Sequence, residues 1–465
     1  MERLTGLDAS FLYLETETQH LHICALLLLD PATDGAAYSF DAFREHLDRR
    51  LPLIPQMRRR MREVPLNLDH PVWVEDPEFE LDGHLHRWQI AAPGGKDELA
   101  DTVGEIASTP LDRERPLWEM HVVEGLENGR IAVLCKYHHA TVDGITGADM
   151  LMQLCDTEPD ADQAVPTEKW EAEPQPATWK LLTDAVVRFP GRAGVVGMVP
   201  KTLGMLAGFA RRRHNNEQGM ALPLTAPRTP FNKAIGPDRA VAFVESDLDS
   251  VKRIKKAFGV TVNDVVMTVI GGILRTYLDK HDELPDRSLI ASVPVSVHDK
   301  SRHSEGINKV SSLFAELGTE IDDHAERLRA VSAANRHAKS EHETIGADFL
   351  QDWSEYAPPN TFQLAARMYS ALRLAEFHPV VHNLVVSNVP GPPMPLYFLG
   401  LKVEGMYPFG PVFHGAGLTV TVLSNNGNLD FGFIGCRELV PDIGALADAV
   451  PDVIDELLVA AAESS

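Results

Sequence analysis

The chain predicts an α/β protein of two domains, and three observations carry that expectation. Apolar runs of strand type alternate with helix-spaced apolar stripes in both halves of the sequence. The composition changes abruptly to acidic and proline-bearing after residue 155. At 465 residues the chain is longer than one core ordinarily organises.

In chain order, Ser39 is placed to cap a helix with Phe40, Phe43, Leu47 and Leu51 on one face. The turn residues Glu127-Asn128-Gly129 precede Ile131-Ala132-Val133-Leu134-Cys135-Lys136-Tyr137, whose β-branched, aliphatic and aromatic side chains read as a strand. After Gly144, the spacing of Ile145, Ala148, Leu151, Met152 and Cys155 is helical. From Asp156 to Ala177 the acids and prolines read as an exposed connection, a helical pattern follows from Thr178 to Arg213, and Leu222–Pro237 holds four prolines. The expected division is therefore an N-terminal domain over 1–155, a linker with helical segments over 156–224 and a C-terminal domain over 225–465. In the last, Thr261 and Asp264 form a capping-box-like start to a helix whose Val262, Val265, Val266, Val269, Ile270, Ile273, Leu274 and Tyr277 make a wide apolar stripe. Strands are expected at Ser288–Val297, His382–Val386, Thr419–Leu423 and Leu429–Ile434, and direct matching finds no internal repeat.

The chemistry concentrates where the first predicted strand ends, in Lys136-Tyr137-His138-His139-Ala140-Thr141-Val142-Asp143-Gly144. Acyl transfer to an alcohol needs one well-held neutral imidazole to take the hydroxyl proton and little else covalently. Side chains alternate at a strand end, so His138 and His139 do not share a cavity. His139 is the expected base and His138 a supporting residue. Asp143 is placed to orient the turn or fix the tautomer, and Gly144 lets backbone approach a ligand. His and Asp also suit a metal, but the sequence has no denser ligand cluster such as His-Glu-x-x-His, and no metal is expected.

The net charge of −24 argues against a nucleic-acid partner and against unspecific attraction to anionic membranes. Cys24, Cys135, Cys155 and Cys436 sit in apolar contexts without paired spacing, as buried thiols of a reducing compartment do. The N-terminus lacks the basic start and apolar core of a secretion signal, so a cytoplasmic location is expected. No run of eighteen apolar residues suggests a membrane span. Val195–Ala210, followed by Arg211-Arg212-Arg213, reads equally as a stretch lying flat on a lipid surface or as a core helix pair linking the domains.

The histidine motif, read as His-His-x-x-x-Asp-Gly, resembles the active-site motif of the bacterial wax ester synthase/diacylglycerol acyltransferase family, within the wider superfamily of CoA-dependent acyltransferases and condensation domains. Leu7-Asp8-Ala9-Ser10-Phe11-Leu12 resembles the family's start, and Pro110-Leu111-Asp112 through Arg115-Pro116-Leu117-Trp118 its Pro-Leu-Trp block. Val262-Asn263-Asp264-Val265, Pro294-Val295-Ser296-Val297, Ser387-Asn388-Val389-Pro390-Gly391-Pro392 and Asp430-Phe431-Gly432 resemble later blocks in family order. Two departures stand out: Gly306-Ile307-Asn308 separates a glycine and an asparagine expected to be adjacent, and Phe433 stands where the superfamily often has Trp.

The resemblance implies two similar domains, each a mixed sheet flanked by helices, with a tunnel between them and the histidine at its middle. It implies an O-acyltransferase that moves a long-chain acyl group from acyl-CoA to diacylglycerol in triacylglycerol synthesis, with His139 as general base and no acyl-enzyme. The alternatives are a wax ester synthase using a long-chain alcohol, a catalytically silent lipid-binding paralogue and a condensation-type acyltransferase. Acyl-CoA is a substrate, so no cofactor is expected. The expected partners are acyl-CoA and the acceptor lipid, at a peripheral membrane or lipid-inclusion surface. Asn263 is a candidate donor to a developing oxyanion or else a helix-start hydrogen bond. Asp264 reads as a helix-start acid, and Asn388 as a turn asparagine or a tunnel contact. Trp118 reads as core. The basic runs Arg58, Arg59, Arg60, Arg62 and Lys252, Arg253, Lys255, Lys256 read as solvated faces or CoA-phosphate contacts.

Overall fold

The computed structural model describes residues 1–31, 38–142, 144–159, 170–188, 204, 221, 223–296, 310–345 and 358–463. Its frame is two six-stranded sheets and one of three strands. The first large sheet runs, in spatial order, Tyr397–Phe398, Leu401–Phe409, His22–Asp30, Ile131–His138, Trp118–Glu124 and Leu85–Gln89. The second runs Val310–Glu316, Ile290–Ser296, Leu384–Val389, Leu418–Asn425, Asn428–Cys436 and Arg239–Asp247. Both are mixed, because Leu85–Gln89 lies parallel to Trp118–Glu124 and Leu384–Val389 lies parallel to both its neighbours. The small sheet joins Glu2–Arg3, Val72–Glu75 and Arg59–Arg62.

Local chemistry sets the helices. Ser39 accepts from the Ala42 N–H at 3.1 Å and starts Phe40–Arg50, which buries Phe43 and Leu47. The Thr261 hydroxyl accepts from the Asp264 N–H at 3.1 Å, while the Asp264 carboxylate accepts from the Thr261 N–H at 2.9 Å, a reciprocal cap on Val262–Lys280. Leu248–Phe258 stops at Gly259, whose φ of 66° is the left-handed turn that glycine tolerates.

Period-two alternation then sorts the second sheet into two faces. Leu384, Val386, Leu418, Val420, Phe431 and Phe433 pack under the helices Leu248–Phe258, Val262–Lys280 and Val450–Glu463 in the largest apolar core. Phe433 is fully buried there, which makes its difference from Trp a matter of packing volume. Val385, Ser387, Thr419 and Thr421 face the other way, toward the first sheet. At that junction Leu26, Leu134, Phe243, Phe409 and Ile434 form a core to which both halves contribute.

The second half lends a strand to the first sheet, which the linear division of the sequence does not contain. Leu401–Phe409 belongs by position to the second half, yet it pairs with His22–Asp30 from Lys402↔Asp30 to Phe409↔Cys24. The physical reason is that His22–Asp30 is rich in leucine and buried on both faces, so its free edge needs a ladder partner. The bridging strand is fastened to the second sheet through Asp-Phe-Gly. The Met406 N–H donates to Asp430 Oδ2 at 2.7 Å, and the Asn425 amide donates to the same oxygen at 3.0 Å. Gly432 lets the strands touch, since a Cβ there would lie 1.9 Å from the Pro408 carbonyl oxygen.

In the expected linker, Thr178–Arg188 is a helix that buries Leu181 against Val72 and Val74. Val195–Ala210, apart from Gly204, and Gly306-Ile307-Asn308 lie outside the described residues. Among the described residues no single helix is long and apolar enough to cross a membrane. All four cysteines are free and buried.

Candidate active site

The strand Ile131–His138 is buried along its whole length and ends in a tightly held turn. The His138 N–H donates to the Leu117 carbonyl at 3.0 Å and the His139 N–H to the Leu21 carbonyl at 2.8 Å. The Thr141 N–H and hydroxyl both donate to the His138 carbonyl, at 2.9 and 2.7 Å. Gly144 then begins the helix Gly144–Leu154, and Asp143 lies outside the described residues.

The two histidines part company. His139 lines a cavity of about 370 Å³ between the two sheets. His138 is fully buried and its Nδ1 accepts from the Ala140 N–H at 3.0 Å. That bond puts the His138 proton on Nε2, which faces Glu15 Oε1 at 3.6 Å.

The first helix, Gly6–Leu14, supplies what the sequence motif alone did not reveal. Its Thr5 cap accepts from the Asp8 N–H at 3.1 Å. Phe11 and Glu15, four residues apart, project to the same side. The Phe11 ring stacks on the His139 imidazole, with centroids 4.1 Å apart and an interplanar angle of 11°. Glu15 reaches behind the pair, with Oε1 3.5 Å from His22 Nε2 and Oε2 accepting from Arg113 Nε at 2.9 Å and from Nη2. Burial opposes ionisation of Glu15, but its bonds to His138 and His22 and the Arg113 charge win and hold the carboxyl far below the usual range. His22 is itself kept neutral by burial, which pulls its pKa down to about 3.

The cavity wall is mostly hydrocarbon. Ile23, Tyr137 and Leu151 come from the first half, Val385, Ser387, Thr421 and Leu423 from the second, and Met406, Pro408 and Phe409 from the bridging strand. Asn263, Asp264 and Asn388 are not on that wall. Ser387 and Val389 line the cavity, so alternation turns Asn388 away, and its amide donates to Asn263 Oδ1 at 3.4 Å. Besides its cap, Asp264 accepts from Ser332 Oγ at 3.2 Å and Asn335 Nδ2 at 2.8 Å, both on His324–Ile345. Trp118 is core, with its indole N–H donating to the Met57 carbonyl at 2.6 Å.

The first basic run is spent on structure. Arg58 lies over the Trp170 ring, Arg59 pairs with Glu2, Arg60 with Asp76, and Arg62 donates to the Pro176 carbonyl. Lys252, Arg253, Lys255 and Lys256 are exposed on Leu248–Phe258. One group, His86, Glu119 and His121, brings possible metal ligands within 4.8 Å of one another. Both nitrogens of His121 are engaged, by the Trp88 indole N–H at 3.0 Å and by Glu119 at 3.1 Å, and the buried Lys136 ammonium lies 3.4 Å from the same carboxylate. That arrangement leaves His121 no lone pair for a metal.

Comparison with known proteins meets this geometry. The wax ester synthase/diacylglycerol acyltransferase catalytic-domain model matches residues 4–266, and the C-terminal domain model of the same family matches 307–458. The chain belongs to the wax ester synthase/diacylglycerol acyltransferase family. A Mycobacterium tuberculosis protein provisionally named a diacylglycerol O-acyltransferase is 41% identical to this acyltransferase over 98% of this chain and 90% of its own length. Another protein of that organism with the same kind of name, tgs2, is 34% identical over 96% of both chains. The solved wax ester synthase/diacylglycerol acyltransferase of Marinobacter aquaeolei VT8 superposes with a TM-score of 0.72 at 28% identity, covering 99% of this acyltransferase and 100% of that chain. A trichothecene 15-O-acetyltransferase of Fusarium sporotrichioides, at 14% identity and a TM-score of 0.57, shares the fold, covering 99% of this chain and 94% of its own.

Proposed function

We propose that this family member transfers a long-chain acyl group from acyl-CoA to the free hydroxyl of diacylglycerol, with His139 as the general base. The observation that carries the reading is an imidazole stacked on Phe11 in the wall of an apolar cavity where the two sheets meet. His139 takes the acceptor's hydroxyl proton as that oxygen attacks the thioester carbonyl. The new C–O ester bond forms, the C–S bond breaks, and the proton passes to the departing CoA thiolate. General base catalysis of this kind is worth roughly 10²–10⁴-fold, and holding two substrates in one water-poor cavity supplies much of the remainder. No acyl-enzyme is needed.

In this reading His138 braces the turn from behind through Glu15, Asp143 orients it, and Gly144 leaves room at the helix start. The acyltransferase names of the relatives and the apolar lining support a neutral lipid acceptor. A long-chain alcohol is the second acceptor in the reading, favoured by the dual name of the Marinobacter structure. Work at a lipid surface is supported by Leu364, Met368, Leu372 and Phe377, which are exposed on and just after Pro359–Ala371.

The test is release of free thiol from palmitoyl-CoA by the purified protein, with dioleoylglycerol or hexadecanol supplied in turn. Thiol release should depend on the acceptor, and His139→Ala should lower it by at least about 10²-fold without lowering the thermal midpoint. A His139→Ala variant as active as the native protein removes the base from the mechanism.

A further inference from the structure

The far wall of the cavity carries polarity that proton abstraction by His139 does not use. His382 lies just before the strand Leu384–Val389 and lines the cavity, and neither of its ring nitrogens has a partner among the described residues. Its ring is 6.0 Å from Phe314, so its immediate company is apolar. Ser292, on the adjoining strand Ile290–Ser296, and Ser312, on the strand beyond it, line the same cavity. Thr421, buried on the same wall, has a hydroxyl that also lacks a partner among the described residues.

We propose that His382 is a specificity-determining residue, its imidazole N–H donating to an ester carbonyl of the acylglycerol acceptor. The assignment rests on the diacylglycerol reading and deepens it. A buried histidine nitrogen without a partner costs free energy until a ligand supplies one. Burial pulls the His382 pKa down to about 4, so at neutral pH the ring is uncharged and offers one donor and one acceptor. An uncharged ring in apolar surroundings suits a neutral polar group and has no charge to offer a phosphate or carboxylate.

Diacylglycerol matches that offer. Apart from the reacting hydroxyl, its oxygens are ester oxygens, whose carbonyls can accept the N–H that the ring offers. A long-chain alkanol has only its reacting oxygen, which His139 claims, and it leaves the His382 donor buried and unpaired. Discrimination of this kind comes from polar groups left unsatisfied by the wrong ligand, which chain-length contacts cannot supply. Ester carbonyls and the amides of the CoA arm share this hydrogen-bonding chemistry, and a choice of acceptors tells them apart because both reactions use the same acyl-CoA.

The experiment compares kcat/KM for dioleoylglycerol and for hexadecanol, with palmitoyl-CoA as donor, in the native protein, His382→Phe and His382→Gln. Thermal midpoints are measured alongside. His382→Phe should lower the dioleoylglycerol value about ten-fold or more, chiefly through KM, and leave the hexadecanol value unchanged or raised. His382→Gln keeps an N–H donor and should recover part of the loss, an outcome that a purely structural role does not give. Equal losses with both acceptors place the residue on the CoA arm and overturn the proposal, as does an unchanged ratio in a folded variant. If His382→Phe does not fold, His382→Leu, which also lacks a donor, takes its place, and an unaltered KM for dioleoylglycerol in that variant overturns the proposal. A native protein that uses hexadecanol but not dioleoylglycerol refutes the diacylglycerol reading itself.

Discussion

Replacing Gly432 by alanine tests whether the bridging strand couples the two sheets. The added Cβ would lie 1.9 Å from the Pro408 carbonyl oxygen, 2.9 Å from its carbon and 3.2 Å from the Phe409 ring. Two of these three atoms are backbone, so no side-chain rotation relieves the clash. Clearing 3.0 Å, the floor for real Cβ contacts, means moving the strand by at least 1.1 Å from its 1.9 Å position. Overpacking of that size costs about 1–3 kcal/mol. The same movement stretches the 2.7 Å bond from the Met406 N–H to Asp430, and a buried donor left without its acceptor costs about 1–3 kcal/mol more. The expected sum is about 2–6 kcal/mol, read as a lower urea midpoint. Met406, Pro408 and Phe409 line the cavity, so thiol release should fall as well. Gly444→Ala is the control, because a Cβ there meets nothing within 4 Å. A Gly432→Ala protein with native midpoint and native activity refutes the coupling.

Three further outcomes follow. Phe11→Ala removes the ring stacked on His139 and should lower kcat about two- to ten-fold, the kinetic equivalent of an aromatic pair; an unchanged kcat says that the stack does not hold the base. Glu15→Gln weakens the bonds to Arg113, His22 and His138 and should lower the unfolding free energy by about 1.5–3 kcal/mol near neutral pH. The folded-state pKa of Glu15 is depressed, so its contribution is present above the unfolded value of about 4.3 and fades as pH falls below it, and the gap between variant and native protein should close in that range. The native protein should be most stable near pH 6.5–7. Burial holds His20, His382 and His414 neutral with pKa values of about 4, so their stability is lost as pH falls from about 6.5 toward 4, roughly 2 kcal/mol each by pH 5. Asp430, raised by burial to about 7, acts oppositely: its contribution is full below the unfolded value of about 3.9 and is lost as pH rises from there to about 7. A midpoint that is flat from pH 5 to 8 contradicts this account.

Much of the frame was legible because local signals agreed with the final environment. Ile131–Tyr137 extends by one residue in the structure, Thr419–Leu423 widens to Leu418–Asn425, and both N-caps at Ser39 and Thr261 form the expected bonds. The partition between His138 and His139 follows from alternation, a backbone property that sequence carries. Other features had no local mark. Glu15, His22 and Arg113 are scattered through the first 113 residues and meet only through tertiary folding, and His382 stands 243 positions from His139. Asn263 is a candidate because an amide at a helix start can donate to an oxyanion, and Asn388 reads as a turn asparagine with tunnel contact as the alternative. The strand direction at Ser387 and Val389 turns Asn388 elsewhere, and no periodicity near Asn263 announces that it will be Asn388's partner.

The lent strand also constrains how the polypeptide comes into being. Residues 22–30 leave the ribosome about 370 residues ahead of their partner at 401–409. Until then an edge that includes four consecutive leucines, Leu26-Leu27-Leu28-Leu29, stands unzipped beside its neighbour at 131–138. A protomer truncated before residue 397 should therefore be a sticky fragment rather than a smaller folded protein. Supplying the missing C-terminal piece in trans should rescue its solubility before it rescues any turnover.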